Sequence, residues 1–277
     1  MDKTLQRARA DAFRKLHQGP DILLLPNAWD VASAMLLAEA GFPAIATTSA
    51  GVAFLYGYAD GQVITRDEML AMVRPIAERV PVPVTADMEA GYGPRPEDVA
   101  ETVRRTIEAG AVGLNLEDGT HKVEAPLMDM TLMVERVRAA REAADAAGVP
   151  IVINARTDGF WTGGAGAAVF DDAVKRANAY RKAGADCLFV PFVSDGPLIG
   201  RLAKEIDGPV NVLAVAKTPP VPELQALGVR RVSVGGAIAR AAYGVVRQAA
   251  QELKSTGTWG FMAGAVPHPE MNKLLSR

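Results

Sequence analysis

The chain has 277 residues, 49% hydrophobic and 22% charged, and its 30 basic and 32 acidic side chains leave a formal net charge of −2. This composition excludes disordered and fibrous classes, and the near-neutral balance offers no basic field to nucleic acid or an anionic membrane, so a small molecule is the expected partner. No apolar run approaches the ~20 residues of a membrane span, the N-terminal stretch Met1–Arg14 is charged and helical in pattern rather than signal-like, and the single cysteine, Cys187, cannot form an internal disulfide; a cytoplasmic protein is expected.

Along the chain one phrase recurs, a helical run that stops at Gly and passes into a short apolar strand. It occurs at Gly41 before Ala44–Thr48, Gly110 before Gly113–Glu117 and Gly148 before Ile151–Ile153, then at Gly184 before Cys187–Val190 and Gly228 before Arg231–Val234. Glycine just past a helix end takes the left-handed conformation that stops the helix, and continuous apolar runs suit strands covered on both faces. Ile22–Pro26, Val82–Met88 and Val210–Ala214 complete eight strands, with helices near 30–40, 66–79, 96–109, 129–147, 170–183, 197–206, 220–227 and 237–254.

Eight strands alternating with helices predict one domain over 1–277, a TIM-type (β/α)8 barrel spanning about 20–254. The open doubly wound sheet is the other arrangement, but Pro26-Asn27-Ala28-Trp29-Asp30 stands where a glycine-rich dinucleotide fingerprint would be. A C-terminal extension from about 255 to 277, with Trp259, Phe261 and Met262, exceeds what a barrel needs, and its apolar residues suggest a cover for a partner subunit. Cys187, among apolar neighbours, reads as a core residue.

In a barrel of this kind the chemistry lies at the C-terminal strand ends. Those ends carry Thr47-Thr48-Ser49, Asp87-Met88-Glu89, Asn115-Leu116-Glu117-Asp118, Asn154-Ala155-Arg156-Thr157-Asp158 and, on strand seven, Asn211. Alternation points Asp87 with Glu89, Asn115 with Glu117 and Asn154 with Arg156 toward one axis. Carboxylates crowded there would repel unless a cation lay among them, and an all-oxygen set favours Mg²⁺, or Mn²⁺, over zinc. Asp87 is the candidate direct ligand, with Glu89, Glu117 and Asp60 holding waters. Glu117 has the option of pairing with Arg156, Asp118 and Asp158 are expected to cap the following turns, and Asp30 to cap a helix.

The phrase Thr85-Ala86-Asp87-Met88-Glu89-Ala90-Gly91-Tyr92-Gly93 resembles the signature of the isocitrate lyase and phosphoenolpyruvate mutase superfamily. So do the opening Pro26–Asp30, the Thr48–Gly51 loop, Leu116-Glu117-Asp118, Asn154–Asp158 and Lys217-Thr218-Pro219. The resemblance implies a Mg²⁺ site of Asp87, Glu89, Glu117 and Asp60. It also implies a 2-oxo acid whose carboxylate is held by Ser49 and the backbone of Ala50 and Gly51, with Trp29 walling the pocket and Arg156 beside an enolate oxygen. Arg156, Trp29, Tyr92 and His121 are the candidate catalytic residues, and Ser49, Ala50, Gly51, Arg156 and Asn211 the candidate substrate-binding ones.

Two departures shape the expected reaction. The lyases of the superfamily carry a cysteine in the gating loop after strand four, where this chain reads Gly119-Thr120-His121-Lys122-Val123-Glu124-Ala125-Pro126, and Phe192 and Leu213 replace polar pocket residues. The expectation is a lyase or decarboxylase for a compact 2-oxo acid, with His121 and Lys122 as acid or base in a shortened lid and Arg240 near a distal group. A C–P mutase or hydrolase and a non-catalytic 2-oxo acid binder are the alternatives. Relatives' exchanged terminal helices imply a homotetramer, or a dimer.

Overall fold

The structure, a computed structural model, describes residues 1–164 and 166–276. Its sheet comprises β1 (Leu23–Leu25), β2 (Asn27–Ala28), β3 (Ile45–Thr47), β4 (Val84–Asp87), β5 (Gly113–Glu117), β6 (Val152–Arg156), β7 (Cys187–Phe189), β8 (Val210–Leu213) and β9 (Arg231–Ser233). All pairings are parallel, in the order β1-β9-β8-β7-β6-β5-β4-β3-β2. The segment β1 lies within the expected first strand, Ile22–Pro26, and β2 continues it past the expected end. Pro26 lies between them, with no N–H to donate, although its carbonyl accepts a hydrogen bond from Ala46. The first pairs with β9 and the second with β3, which closes the sheet into the expected eight-stranded barrel.

The helices are α1 (Lys3–Leu16), α2 (Val31–Glu39), α3 (Ser49–Leu55), α4 (Arg66–Arg79), α5 (Pro96–Glu108), α6 (Met130–Ala147), α7 (Gly159–Gly163), α8 (Ala167–Ala183), α9 (Gly196–Glu205), α10 (Val221–Ala226), α11 (Ala237–Ser255) and α12 (His268–Leu275). The eight barrel helices fall where the glycine punctuation put them. Gly148 and Gly184 end α6 and α8 with left-handed backbones, and Asp30 caps α2 by accepting from the Ser33 N–H at 2.7 Å. The short helices α3 and α7 follow β3 and β6, in segments the sequence presents as loops.

Neighbouring strands bring their core residues together in layers. The fully buried Leu114, Leu116, Ile153, Leu188 and Val212 pack against the surrounding helices. The floor of the barrel is closed by α1, whose Phe13 is completely buried and reaches Gly113 so closely that a Cβ there would stand 2.8 Å from the ring. Cys187 is buried as expected, and burial pushes its thiol up to about 12. At the far end α12 docks on α2 through Leu274, while α11 buries only Ala239 of its own residues. No helix among the described residues is long and apolar enough to cross a membrane.

Candidate active site

Register decides which polar side chains meet. Asp87 pairs with Asn115, Asn115 with Asn154, and Glu117 with Arg156. In-register neighbours of a parallel sheet project to the same side, so each pair is in contact at the mouth. The Asn115 amide donates to Asp87 at 3.2 Å, the Asn154 amide donates to Asn115 at 2.8 Å, and Arg156 lies 2.9 Å from Glu117. Arg156 also donates through Nε to Asp158 at 2.7 Å, so one guanidinium bridges two buried carboxylates. Its face lies over Phe189 and Trp161, 5.6 and 5.7 Å from the ring centres.

Glu89 reaches the mouth by a route that alternation does not describe. It lies beyond the end of β4 with a left-handed backbone (φ 47°), and Tyr92 repeats this conformation (φ 56°). The loop is pinned from behind by Arg136, fully buried, which donates to the carbonyls of Ala90 and Gly93, and by the Thr102 hydroxyl on the Gly91 carbonyl. Glu89 is held by the Gln62 N–H and lies 3.4 Å from the Tyr92 hydroxyl, its proton donor.

The resulting field is strongly negative. Burial, then the charges of Asp87, Glu117 and Asp60, pushes the Glu89 carboxyl up to about 8. The carboxyl of Asp60, on the exposed rim, is raised by partial desolvation and by Asp87 and Glu117. Glu117 goes the other way: burial alone would favour its neutral form, but Arg156 and then His121 hold it below the ordinary carboxylate range. Burial also works against the charge of Arg156, yet Glu117 and Asp158 raise its pKa. Asp60, Asp87, Glu89 and Glu117 thus act on one another electrostatically at the mouth, where Arg156 pairs with Glu117. Such a set fits a divalent cation of the oxygen-preferring kind, and the donor atoms of Glu89, Glu117 and His121 close to within 4.8 Å of one another.

Asp87 stands apart from that triad. Both its oxygens are engaged, one by the N–H and hydroxyl of Ser49 at 3.0 and 2.8 Å, the other by Asn115. Ser49, Ala50 and Gly51 are the first turn of α3, a helix rather than the open loop the sequence suggests, with Thr48 as its cap. The Gly51 N–H donates to Thr48 at 3.4 Å.

Beside this cluster lies a cavity of about 310 Å³, lined by Ser49, Ala50, Asp60, Asp87, Asn115 and Arg156 and by the apolar Phe54, Trp161, Phe189, Phe192 and Leu213. Trp29, expected as a pocket wall, is not among the lining residues. It packs behind α3, where a Cβ on Gly51 would stand 2.7 Å from its own, and the α7 residue Trp161 takes the place at the cavity. Trp161 was not singled out in the sequence because a five-residue helix leaves little periodicity to read. Asn211 is fully buried below the cavity, its amide donating to Ser233 at 3.3 Å and its carbonyl oxygen without a partner. Arg240 lines the cavity from the start of α11.

The segment from Gly119 to Leu127 folds on itself through a bridge between those two residues and a bond from Thr120 to Pro126. His121 turns inward from it and puts Nε2 3.6 Å from Glu117, while Lys122 lines a neighbouring cavity of about 370 Å³ with Asp158 and Trp161. Asp118 and Asp158 do not cap the turns as expected. Asp118 accepts from the Tyr180 hydroxyl at 2.7 Å, from Arg176 and from the Asp158 N–H, tying β5 to α8, and Asp158 is drawn to Arg156. In both cases a buried carboxylate takes a cation from another segment as a partner, which a cap on its own turn would not need.

A family model for phosphoenolpyruvate phosphomutase matches residues 13–254. The 2-methylisocitrate lyase of Bacillus subtilis is 30% identical over 222 residues, 77% of this chain and 70% of that one. Among solved structures, a Burkholderia cenocepacia protein assigned only to a broad lyase/mutase class is 42% identical, with a TM-score of 0.93 over 99% of this chain and 98% of that one. An oxaloacetate acetylhydrolase, solved with its product oxalate, is 26% identical, with a TM-score of 0.85 over 96% and 93%. The match from the barrel floor to the end of α11, together with the carboxylates gathered at its mouth, makes this chain a member of the phosphoenolpyruvate mutase and isocitrate lyase superfamily.

Proposed function

We propose that the chain is a Mg²⁺-dependent lyase or decarboxylase, with Mn²⁺ as the substitute ion, that breaks a bond at C3 of a compact 2-oxo acid. The observation that carries this reading is the shared negative field of Asp60, Asp87, Glu89 and Glu117, with Arg156 paired to Glu117, beside a cavity of only about 310 Å³. When bound among those carboxylates, the ion supplies the positive charge that stabilises an enolate. The remaining roles belong to the chain. Asp87 is the proposed direct ligand, and Ser49 with the start of α3 receives the substrate carboxylate. Arg156, locked between Glu117 and Asp158, faces the developing oxyanion with its orientation already paid for in folding. Asn211, with its free carbonyl oxygen, lies below the substrate, and Tyr92 steadies Glu89. Trp161, Phe189 and Phe192 exclude water from the far side.

The wall also bears on the substrate. Phe192 and Leu213 favour a small or apolar C3 substituent, and the chain's lyase and oxaloacetate-cleaving relatives support C–C rather than C–P chemistry. The test is release of pyruvate or CO₂ from a panel of 2-oxo acids with Mg²⁺, beside phosphorus NMR of phosphonopyruvate. Inactivity across the panel with a changed phosphorus signal would move the assignment to a mutase or hydrolase. Tight binding without turnover would leave a binding protein.

The catalytic unit proposed is the whole chain, acting in the cytoplasm as a homo-oligomer, a tetramer or a dimer. The support is the face of α11 and the segment after it, where Val246, Trp259 and Met262 are 64%, 63% and 55% exposed, an apolar surface suited to a second copy. Light scattering that returned a monomer at micromolar concentration would remove this part of the proposal.

A further inference from the structure

The lid residue His121 is placed with more care than an exposed loop side chain needs. Its backbone is left-handed (φ 57°), and its ring packs beside Gly61, itself at a φ of 108°. Trp161 meets the ring edge-on with centroids 6.2 Å apart. Nε2 is thereby aimed at the carboxylates, 3.6 Å from Glu117 Oε1, within a triad whose third member is the buried Glu89. Two ligand atoms 3.6 Å apart, each ~2.1 Å from a shared ion, subtend about 120° at it, an angle that tetrahedral and trigonal sites accept.

We propose that His121 is a nitrogen ligand that joins Glu89 and Glu117 in a cation position at the lid, so that this site holds borderline divalent ions such as Co²⁺ or Zn²⁺ more tightly than Mg²⁺. The inference rests on the metal reading above and adds to it a ligand of a different class. Carboxylate oxygens serve hard and borderline ions alike, whereas an imidazole nitrogen strengthens only the borderline ones. The same contact ties the lid to the cluster, so the bound ion and the position of the Gly119–Leu127 segment become one equilibrium.

The experiment is calorimetric titration of the full-length protein with Co²⁺ and, separately, Mg²⁺, for the wild type, His121→Ala and the lid control Lys122→Ala. The visible absorption of bound Co²⁺ is followed as well. His121→Ala is expected to weaken Co²⁺ by about tenfold or more and to shift its visible bands, while Mg²⁺ changes by less than about twofold. Free imidazole is expected to restore the Co²⁺ spectrum of His121→Ala, and Lys122→Ala to bind Co²⁺ with the wild-type affinity and spectrum. Equal losses for the two ions, or an unchanged Co²⁺ spectrum, would overturn the role of His121 and leave the carboxylate site standing. A wild-type protein that bound neither ion would overturn both.

Discussion

The mouth and the floor of this barrel both bury charge, and they compensate it in opposite ways. At the floor Arg231 is 1% exposed, yet no carboxylate among the described residues pairs with it. Its neighbours are His17 Nε2 at 3.4 Å, the Asn115 oxygen at 3.5 Å and the face of Phe13 at 5.9 Å. Neutral dipoles and a ring hold it, and α1 seals the space. At the mouth Arg156 bridges Glu117 and Asp158, while burial and the charges of Asp87, Glu117 and Asp60 push Glu89 up to about 8. A sealed charge held by neutral dipoles and a ring is an element of structure, whereas like charges crowded beside a cavity are a place for a ligand of the opposite sign.

The contrast is broken most directly at Asp87. Asp87→Ala is expected to lower Mg²⁺-dependent turnover of a 2-oxo acid by about 10³-fold with the circular dichroism unchanged; retention of more than about a tenth of the activity would take Asp87 out of the chemistry. Arg156→Lys is expected to cost about 10²-fold in kcat/KM, because an ammonium cannot bridge Glu117 and Asp158 as the two guanidinium nitrogens do. A loss below threefold would show that the fork is dispensable.

The two regions should also respond to pH with opposite signs. Glu89 titrates near 4.5 when unfolded and near 8 in the folded chain. Between those values the folded protein keeps a proton that the unfolded chain has released, so the metal-free protein loses stability as pH rises through the window, by on the order of a few kcal/mol. Thermal melts should show Tm falling toward pH 8, Mg²⁺ flattening the trend, and Glu89→Gln removing it.

At the floor, burial and the Arg231 charge depress His17 from 6.5 to about 3. Below 6.5 the unfolded chain takes up a proton that the folded one refuses, so stability is full above that pH and declines as pH falls, by about 2 kcal/mol at about pH 5. His17→Gln, which keeps hydrogen-bonding capacity without titrating, should flatten this acid limb. A limb of unchanged slope would assign it to other groups.

Much of the molecule was legible in the chain because its signals are local. Glycines past helix ends marked α6 and α8, and continuous apolar runs marked the strands, with one split at Pro26. Asp87 and Glu117 were legible as well, since a residue at a strand end of this barrel lies at the mouth, whereas Glu89 lies beyond β4 and Asp60 between α3 and α4. Legibility failed where a contact depends on chain far away. Trp29 read as a wall but lies behind α3; Trp161 is the wall, on a helix too short to announce itself. Asp118 and Asp158 read as caps, yet Arg176 and Arg156 claimed them across the fold.

The sequence by itself determined the order of elements, the closed parallel sheet and the kinds of groups gathered at its mouth, because periodicity and chain punctuation act over a few residues. Only the tertiary structure decided which of those groups touch. Strand register sets Glu117 beside Arg156, and left-handed backbone turns Glu89 inward and brings His121 to the carboxylates. Those distances are set by packing among segments remote in the chain, which no local pattern encodes.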